Sequence, residues 1–285
     1  MCIFAVANLI NDMELEKINY KKSLEEAGFS YLGNYEQSAK MKKSKNNGTI
    51  TYCIYLAPAN MSGYEVCPCS QFCRKFCLNG SGVNRVEIQA VGFEESRINK
   101  VRIKKTKLFF ENKELFMKIM IHELIKTRRY AEKHDMDFSV RLNGTSDISP
   151  EDFVYQGMNI LEIFPDVQFY DYTKVYSRIG LLAKYHNYDL TYSYNGHNWN
   201  ACKKFLEMGG KVAVVFNNQE MLPMAFDGYP VIDANGYDMR YLDPSRTIMG
   251  LHYHRTAANY ESGKYIEPDE DFVVKDDNEL VQWYE

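Results

Sequence analysis

Short apolar runs that end in small or polar residues recur along most of this chain. The first is "TITYCIYLAPAN" (49–60), whose β-branched and aromatic residues predict a core strand. Six further runs follow, namely "FSVRLNGTSD" (138–147), "VQFYDYTK" (167–174), "LTYSYNG" (190–196), "VAVVFNN" (212–218), "PVIDANG" (230–236) and "TIMGLHYH" (247–254). The pattern therefore predicts seven strands.

The segments between these runs have the periodicity of helices. Within residues 93–135, Leu115, Ile119, His122 and Ile125 recur at the spacing of one helix face. Two later gaps can also hold helices, "TKVYSRIGLLAKYHN" and "NWNACKKFLEMGG". Strands that alternate with helices favour parallel strands joined by right-handed crossovers. We predict an α/β fold, specifically a (β/α) barrel of the TIM type, complete or partial, with an open doubly wound sheet as the competing architecture.

The same pattern divides the chain into three parts. Residues 1–48 are polar, include a helical stretch and are predicted to form an N-terminal extension. Residues 49–255 are predicted to form the barrel, and residues 256–285 an acidic C-terminal tail that packs on it. In a (β/α) barrel the active site lies at the carboxyl ends of the strands. The polar residues that end the runs fall at these positions.

Composition restricts the classes of function. The net charge of −4 gives no global reason to expect binding to nucleic acid or membrane. No run approaches the roughly 18 apolar residues that a membrane span needs, and the N-terminus has no basic leader. We expect a cytoplasmic protein, in which seven cysteines favour metal or redox chemistry over disulfide bonds.

Four of the cysteines lie in one short stretch, "VCPCSQFCRKFC" (66–77), as Cys67, Cys69, Cys73 and Cys77. Thiolates this close together can hold an iron–sulfur cluster or a Zn²⁺ ion. Structural zinc commonly uses two Cys-x2-Cys pairs with a longer spacer, and no second pair follows here. Three-residue spacers favour a [4Fe–4S] cubane, whose iron corners lie further apart than sulfurs around one ion. Zinc and unliganded or redox thiols are the alternatives.

The position of this stretch, directly after the first predicted strand, adds a resemblance. Cys69-x3-Cys73-x3-Cys77 resembles, with one additional residue, the Cys-x3-Cys-x2-Cys motif of radical S-adenosylmethionine enzymes. That resemblance implies three cysteines on a [4Fe–4S] cluster whose fourth iron binds S-adenosylmethionine. If all four cysteines bind, this corner is filled, and electron transfer or a structural role is favoured.

A wider stretch resembles a second group. "LAPANMSGYEVCP", "CRKFCLN", "KTKLFF" and "RLNGTSDI" are similar to the phage gene product 88 family, over about residues 50–255. The resemblance implies a viral origin, and hence a host cytoplasm, and a barrel-like fold, without an established activity. It matches Cys67, Cys73 and Cys77 to the family's cysteines and therefore implies these three as ligands, with Cys69 peculiar to this chain.

Polar residues at the predicted strand ends form a candidate pocket for a small molecule that the sequence does not identify. They are Arg141, Asn143, Asp147, Asp171, Lys174, Ser193, Asn195, His197 and Asn217. Asn143 and Asp147 could hold a ribose or an amino group. Alternatively, Asn143-Gly144 forms a turn, Asp147 caps a helix, and Asp171 and Lys174 form an internal ion pair.

A basic segment follows the cysteines, with six cations at Arg97, Lys100, Arg102, Lys104, Lys105 and Lys107. It could contact nucleic-acid phosphates, although such a run is more often a solvated helix face. The leading hypothesis is an iron–sulfur protein, either a redox or radical enzyme. The alternatives are a zinc-stabilised module that binds nucleic acid through residues 97–107 and a non-enzymatic cluster protein for electron transfer.

Overall fold

A large mixed sheet with helices packed on it forms the body of the protein in the computed structural model. The structure describes residues 19–36, 38–254, 256, 260–261, 264–265 and 272–284. In chain order the strands are β1 (Gly33–Asn34), β2 (Thr49–Ile54), β3 (Asp137–Arg141), β4 (Val154–Tyr155), β5 (Met158–Asn159), β6 (Gln168–Thr173), β7 (Tyr188–Ser193), β8 (Lys211–Phe216), β9 (Ala225–Phe226), β10 (Tyr229–Asp233), β11 (Ile248–His252), β12 (Tyr260–Glu261), β13 (Lys264–Tyr265), β14 (Val273–Val274) and β15 (Val281–Gln282).

The centre of the sheet is parallel, and its edges are antiparallel. The hydrogen-bonded order is β1-β2-β3-β6-β7-β8-β11-β10-β9-β15, and β14 pairs with β8. The seven strands from β2 to β10 in this order run parallel, and each overlaps one of the seven predicted runs, although four of them begin one or two residues before the run. The prediction of an α/β fold with parallel strands is therefore confirmed.

Closure into a barrel is not shown. In the described part of the chain, the hydrogen-bonded order ends at β1 on one side and at β15 on the other. Strand β11 also lies between β8 and β10, so that the last two parallel strands are not in chain order. Asp227 and Gly228 take positive φ values of 48° and 77° and form a two-residue hairpin that places β10 beside β9.

Helices lie in the gaps where the sequence predicts them, and three more of the described helices, at Ala39–Asn46, Gly82–Val91 and Ile160–Ile163, lie outside those gaps. In chain order the helices are α1 (Tyr20–Ala27), α2 (Ala39–Asn46), α3 (Gly82–Val91), α4 (Arg97–Glu111), α5 (Lys113–Lys133), α6 (Ile160–Ile163), α7 (Leu181–Lys184) and α8 (Trp199–Glu207). The predicted helical region 93–135 is divided at Asn112, which ends α4 and whose Oδ1 accepts a hydrogen bond from the N–H of Leu115 at 3.1 Å. A side-chain oxygen at this position satisfies an otherwise unpaired N–H in the first turn of α5.

The two faces of the sheet differ in chemistry. One face packs against the helices in a large apolar core that includes Phe116, Val140 and Phe169. The other face carries polar groups, such as Thr51 and Ser139, which share a hydrogen bond of 2.9 Å. Residues 234–243 pack against this polar face, where Lys211 Nζ donates to the Arg240 carbonyl at 2.5 Å. These two hydrogen bonds pair buried polar groups within the protein.

Candidate functional site

The loop that follows β2 lies at the carboxyl edge of the parallel strands. Its Phe72 ring packs 4.1 Å from His197, which follows β7. Its Phe76 ring lies 6.5 Å from Tyr253, which follows β11, and 6.2 Å from Phe272. The cysteine stretch is therefore held by chain segments from several strand ends.

Three of its cysteines face one cavity. The cavity has a volume of about 220 Å³, and its walls include Cys67, Cys73 and Cys77 but not Cys69. The remaining lining residues are Pro58, Ala59, Asn60, Met61, Ser70, Arg74, Asn79 and Phe93. These three cysteines are the ones that the family resemblance implied as ligands. No three His, Cys, Asp or Glu side chains within the described residues converge on a single metal ion.

The backbone of the loop explains this selection. Successive turns with a three-residue step join Ser70 N to the Cys67 carbonyl and Cys73 N to the Ser70 carbonyl, both at 3.1 Å. In such turns, side chains three residues apart lie on the same face. Cys67, Ser70 and Cys73 consequently face the cavity together, and Cys77 begins a further turn to Gly80 at 3.0 Å. Cys69 is out of step with this repeat.

Two of the three thiols accept backbone hydrogen bonds. Cys67 Sγ accepts from Ala59 N at 3.4 Å, and Cys77 Sγ accepts from Asn79 N at 3.5 Å. Burial raises the pKa of Cys67 to about 12 and also raises the pKa of Cys77. Both thiols are therefore protonated near neutral pH.

The turn after β3 packs against the segment that leads from β2 into the cysteine loop. Gly144 N donates to the Ile54 carbonyl at 2.9 Å, and Thr145 Oγ1 donates to the Leu56 carbonyl at 2.6 Å. A Cβ atom at Gly144 would lie 2.8 Å from the Ile54 carbonyl oxygen. This contact is too short for any side chain, so the close approach requires glycine. The sequence "RLNGTSD" is thus used to dock one strand-end loop on another.

The other strand-end residues form internal networks. Arg141 Nη1 donates to Asp238 at 2.6 Å on the polar face of the sheet. Asp147 accepts from Arg178 at 2.5 Å and from the backbone N–H of Lys174 at 3.0 Å. Burial raises the pKa of Cys69, which is also affected by the charges of Asp147, Arg178 and Lys174. The structure therefore brings Asp147 and Lys174 towards Cys69.

The remaining predicted pocket residues make local contacts. The Ser193 carbonyl accepts from Asn198 Nδ2 at 3.0 Å, and Asn195 Oδ1 accepts from His197 N at 2.9 Å. Asn217 N donates to the Val274 carbonyl at 2.9 Å, which extends the pairing of β8 with β14. None of the nine predicted pocket residues lines the cavity of the three cysteines.

A buried polar network behind the cavity has no counterpart in the sequence predictions. Asn79 Nδ2 and Asn84 Nδ2 each donate to Asn99 Oδ1 at 3.0 Å, and Ser96 Oγ donates to Asn84 Oδ1 at 2.7 Å. The side chains come from three separate segments. Asparagine alone predicts turns and caps, and gives no signal that distant side chains meet.

The basic segment 97–107 does not present its cations on one surface. Arg97 and Lys100 are exposed and pair with Glu87 and Glu95 at 2.8 and 2.6 Å. Lys105 is only 3% exposed and lies over the Tyr31 ring at 4.6 Å. Contact with nucleic acid stays a prediction. None of the described helices combines the length and the apolar character that a membrane crossing requires.

Comparison with known proteins identifies a family. A family model described as "Gene product 88" matches residues 25–267, which includes the cysteine loop and most of the sheet. Neither the curated proteins nor the solved structures contain a significant match to the chain. Because the match spans most of the sequence, this chain belongs to the gene product 88 family.

Proposed function

We propose that this protein binds an iron–sulfur cluster through Cys67, Cys73 and Cys77, in the cytoplasm of an infected host cell. The single observation that carries the proposal is that these three thiols, from successive turns of one loop, line one cavity of about 220 Å³. Thiolates are the common ligands of such clusters, and a reducing compartment keeps the thiols available.

The donor set fits the cluster chemically. Cys67 and Cys77 accept hydrogen bonds from Ala59 N and Asn79 N, and hydrogen bonds to sulfur tune the potentials of iron–sulfur centres. Cys67, whose pKa burial raises to about 12, would lose its proton on binding iron, because ligand thiols bind as thiolates. A bound cluster would supply one-electron chemistry.

The number of cysteine ligands, three or four, decides between two roles of the cluster. A four-iron cluster on Cys67, Cys73 and Cys77 has one iron without a cysteine, where S-adenosylmethionine or another small molecule can bind. For the first of these roles we propose a partial barrel related to that of radical enzymes, because the cysteine loop follows the first of the parallel strands in chain order. If Cys69 moves to fill the fourth corner, electron transfer without substrate chemistry is favoured.

Anaerobic purification with iron, sulfide and zinc analysis tests the proposal. We expect brown protein with iron and acid-labile sulfide in equal amounts, and an electron paramagnetic resonance signal after reduction with dithionite. Addition of S-adenosylmethionine should change that signal if one iron is open. Colourless protein with one zinc per chain, and no cluster after reconstitution with iron and sulfide, would exclude the proposal in favour of a zinc module.

Single variants assign the ligands. Cys67→Ser, Cys73→Ser and Cys77→Ser should each lose most of the bound iron, whereas Cys69→Ser should retain it. Cys202→Ser is the control, since Cys202 is a free thiol that lies in α8 within the apolar core, outside the cysteine loop. Equal loss of iron in Cys69→Ser and Cys73→Ser would contradict the three-ligand assignment and support four.

A further inference from the structure

Arg102 lies on the side of α4 that faces the cysteine loop. Its guanidinium donates to Asn79 Oδ1 and stacks over the Tyr55 ring at 5.1 Å. Asn79 lines the cavity, and its backbone N–H donates to Cys77 Sγ at 3.5 Å. A chain of contacts thus runs from Arg102 through one residue to a thiol of the candidate site.

The orientation of the Asn79 amide is fixed by the buried network behind it. Asn99 Nδ2 donates to the Phe93 carbonyl at 2.8 Å, so the Oδ1 of Asn99 faces the other way. That oxygen accepts from Asn79 Nδ2 at 3.0 Å. The Oδ1 of Asn79 is therefore left to accept from Arg102. Asn79 is 1% exposed, and Asn99 is fully buried, so the arrangement is shielded from water.

The charge of Arg102 acts on Cys77. Burial and, to a smaller extent, Cys73 raise the pKa of the Cys77 thiol. The backbone N–H of Asn79 and the positive charges of Arg102 and Lys174 oppose this rise in pKa. The other cations of the basic segment lie elsewhere, with Arg97 and Lys100 paired to carboxylates and Lys107 exposed. Arg102 is set apart from them by its contact with the residue that borders Cys77.

We propose that Arg102 is a positioning residue that holds Asn79 against Cys77 and raises the reduction potential of the cluster that the cysteines bind. This inference rests on the function proposed above. Reduction adds one electron from an external reductant and makes the cluster more negative. A fixed cation near a ligand thiolate stabilises that reduced state, and a site shielded from water screens the interaction weakly. Arg102 is then the cation of the basic segment that contributes its charge to the cluster site.

Redox titration of the anaerobically reconstituted full chain tests the proposal. In Arg102→Gln the ratio of reduced to oxidised cluster at a fixed potential should fall about tenfold. For a one-electron couple this corresponds to a reduction potential that is lower by about 59 mV. Arg102→Lys should recover part of this change. Lys107→Gln is the matched control, because it removes the same charge from an exposed position of α4 and should leave the potential unchanged.

Three further outcomes are decisive. If Arg102→Gln binds the same iron and sulfide as the unchanged chain and has the same potential, Arg102 has no such role. If Arg102→Gln does not fold, as judged by thermal unfolding without iron, Asn79→Asp replaces it. This variant puts a negative charge beside Cys77, and an unchanged potential would overturn the proposal. If the unchanged chain binds no cluster at all, the proposed function fails first, and the role of Arg102 fails with it.

Discussion

Asn143 and Asp171 join the carboxyl ends of the adjacent parallel strands β3 and β6. Asn143 donates its backbone N–H to Asp171 Oδ1 at 2.8 Å and its Nδ2 to Asp171 Oδ2 at 3.0 Å. Its own Oδ1 accepts from Ile148 N at 2.8 Å and so closes the turn that supports the cysteine loop. Both residues were candidates for the pocket, and their hydrogen-bonding groups are used within the scaffold.

Stability should decrease as pH rises from about 4 to about 7 because of Asp171. Burial raises the pKa of this carboxyl from 3.8 to about 7, although the charge of Arg141 and the hydrogen bonds from Asn143 oppose the rise. Between these values the folded state holds a proton that the unfolded state has released. The stabilisation is therefore complete below about pH 4 and is lost as pH approaches 7, with a slope of at most about 1.4 kcal/mol per pH unit.

Urea unfolding of the unchanged chain and of Asp171→Asn between pH 4 and 8 measures this effect. The variant lowers the baseline stability, because an amide cannot accept both hydrogen bonds from Asn143, but it removes the titrating group. The difference in unfolding free energy between the two proteins should change across this range. Parallel curves would show that Asp171 is ionised in the folded state throughout.

The buried ion pair of Asp147 and Arg178 should stabilise the fold beside the cysteine loop. Their side chains are 13% and 10% exposed, and Asp147 N also donates to the Val66 carbonyl at 2.7 Å beside the cysteines. Arg178→Met leaves the carboxylate buried without its cation and should lower the unfolding free energy by about 3 kcal/mol. Chemical denaturation measures this loss, and adding Asp147→Asn should recover part of it.

The control for this variant is the exposed pair of Lys184 and Glu151, which meet at 2.6 Å with side chains 57% and 40% exposed. Lys184→Met should cost less than about 1 kcal/mol, because solvent screens the pair. Similar losses in Arg178→Met and Lys184→Met would mean that water reaches Asp147 and that this pair does not support the loop.

Gly144 should be required for the cysteine cavity. Its missing side chain allows the turn after β3 to approach Ile54 and Tyr55, and a Cβ atom would lie 2.8 Å from the Ile54 carbonyl and 2.7 Å from the Tyr55 ring. Gly144→Ala should lower the unfolding free energy by about 1–3 kcal/mol through overpacking. It should also lower the iron bound per chain, because Thr145 and Asp147 contact the cysteine loop.

Gly180→Ala is the matched substitution, since no heavy atom lies within 4 Å of its added Cβ. Denaturation and iron analysis of both variants should separate them, with Gly180→Ala remaining within about 1 kcal/mol of the unchanged chain. Full iron content in Gly144→Ala would show that the cavity does not depend on this close approach.

The sequence predicts the strands well because their signal is local. Each run has its own apolar pattern and polar end, as in "VAVVFNN", where β8 ends at Phe216. The order of β10 and β11 in the sheet is set by pairing between separate segments and is not contained in either run. Contacts between distant segments, such as that of Lys40 Nζ with the Ala234 carbonyl at 2.9 Å, are likewise not contained in any local pattern.

The same distinction applies to the candidate site. The cysteines are adjacent in sequence, so their clustering is visible without a structure, but their selection depends on the turn repeat that leaves Cys69 out of step. Arg102 was one of six cations in a run, and only folding separates it from Lys107. Asn79 and Asn99 meet through packing of α4 behind the loop, a contact that spacing does not predict.

Glu123 should fix the N-terminal part of the chain to the body of the protein. Its carboxylate is 5% exposed and accepts four hydrogen bonds, from Tyr20 Oη at 2.7 Å, Tyr52 Oη at 2.6 Å, and Leu32 N and Gly33 N at 2.8 Å each. In Glu123→Gln an amide N–H₂ faces at least one donor, so charge-assisted hydrogen bonds are lost. The unfolding free energy should fall by about 2–4 kcal/mol.

Hydrogen exchange locates this loss. The amides of Leu32 and Gly33 donate directly to Glu123 and should exchange faster in Glu123→Gln at denaturant concentrations where β6 and β7 remain protected. Glu132→Gln changes the same chemistry on the same helix at a side chain that is 58% exposed, and should stay within about 0.5 kcal/mol. If both variants behave alike, or if β6 and β7 open together with Leu32, the N-terminal part is attached by its apolar contacts, since Phe29 and Leu32 belong to the main core.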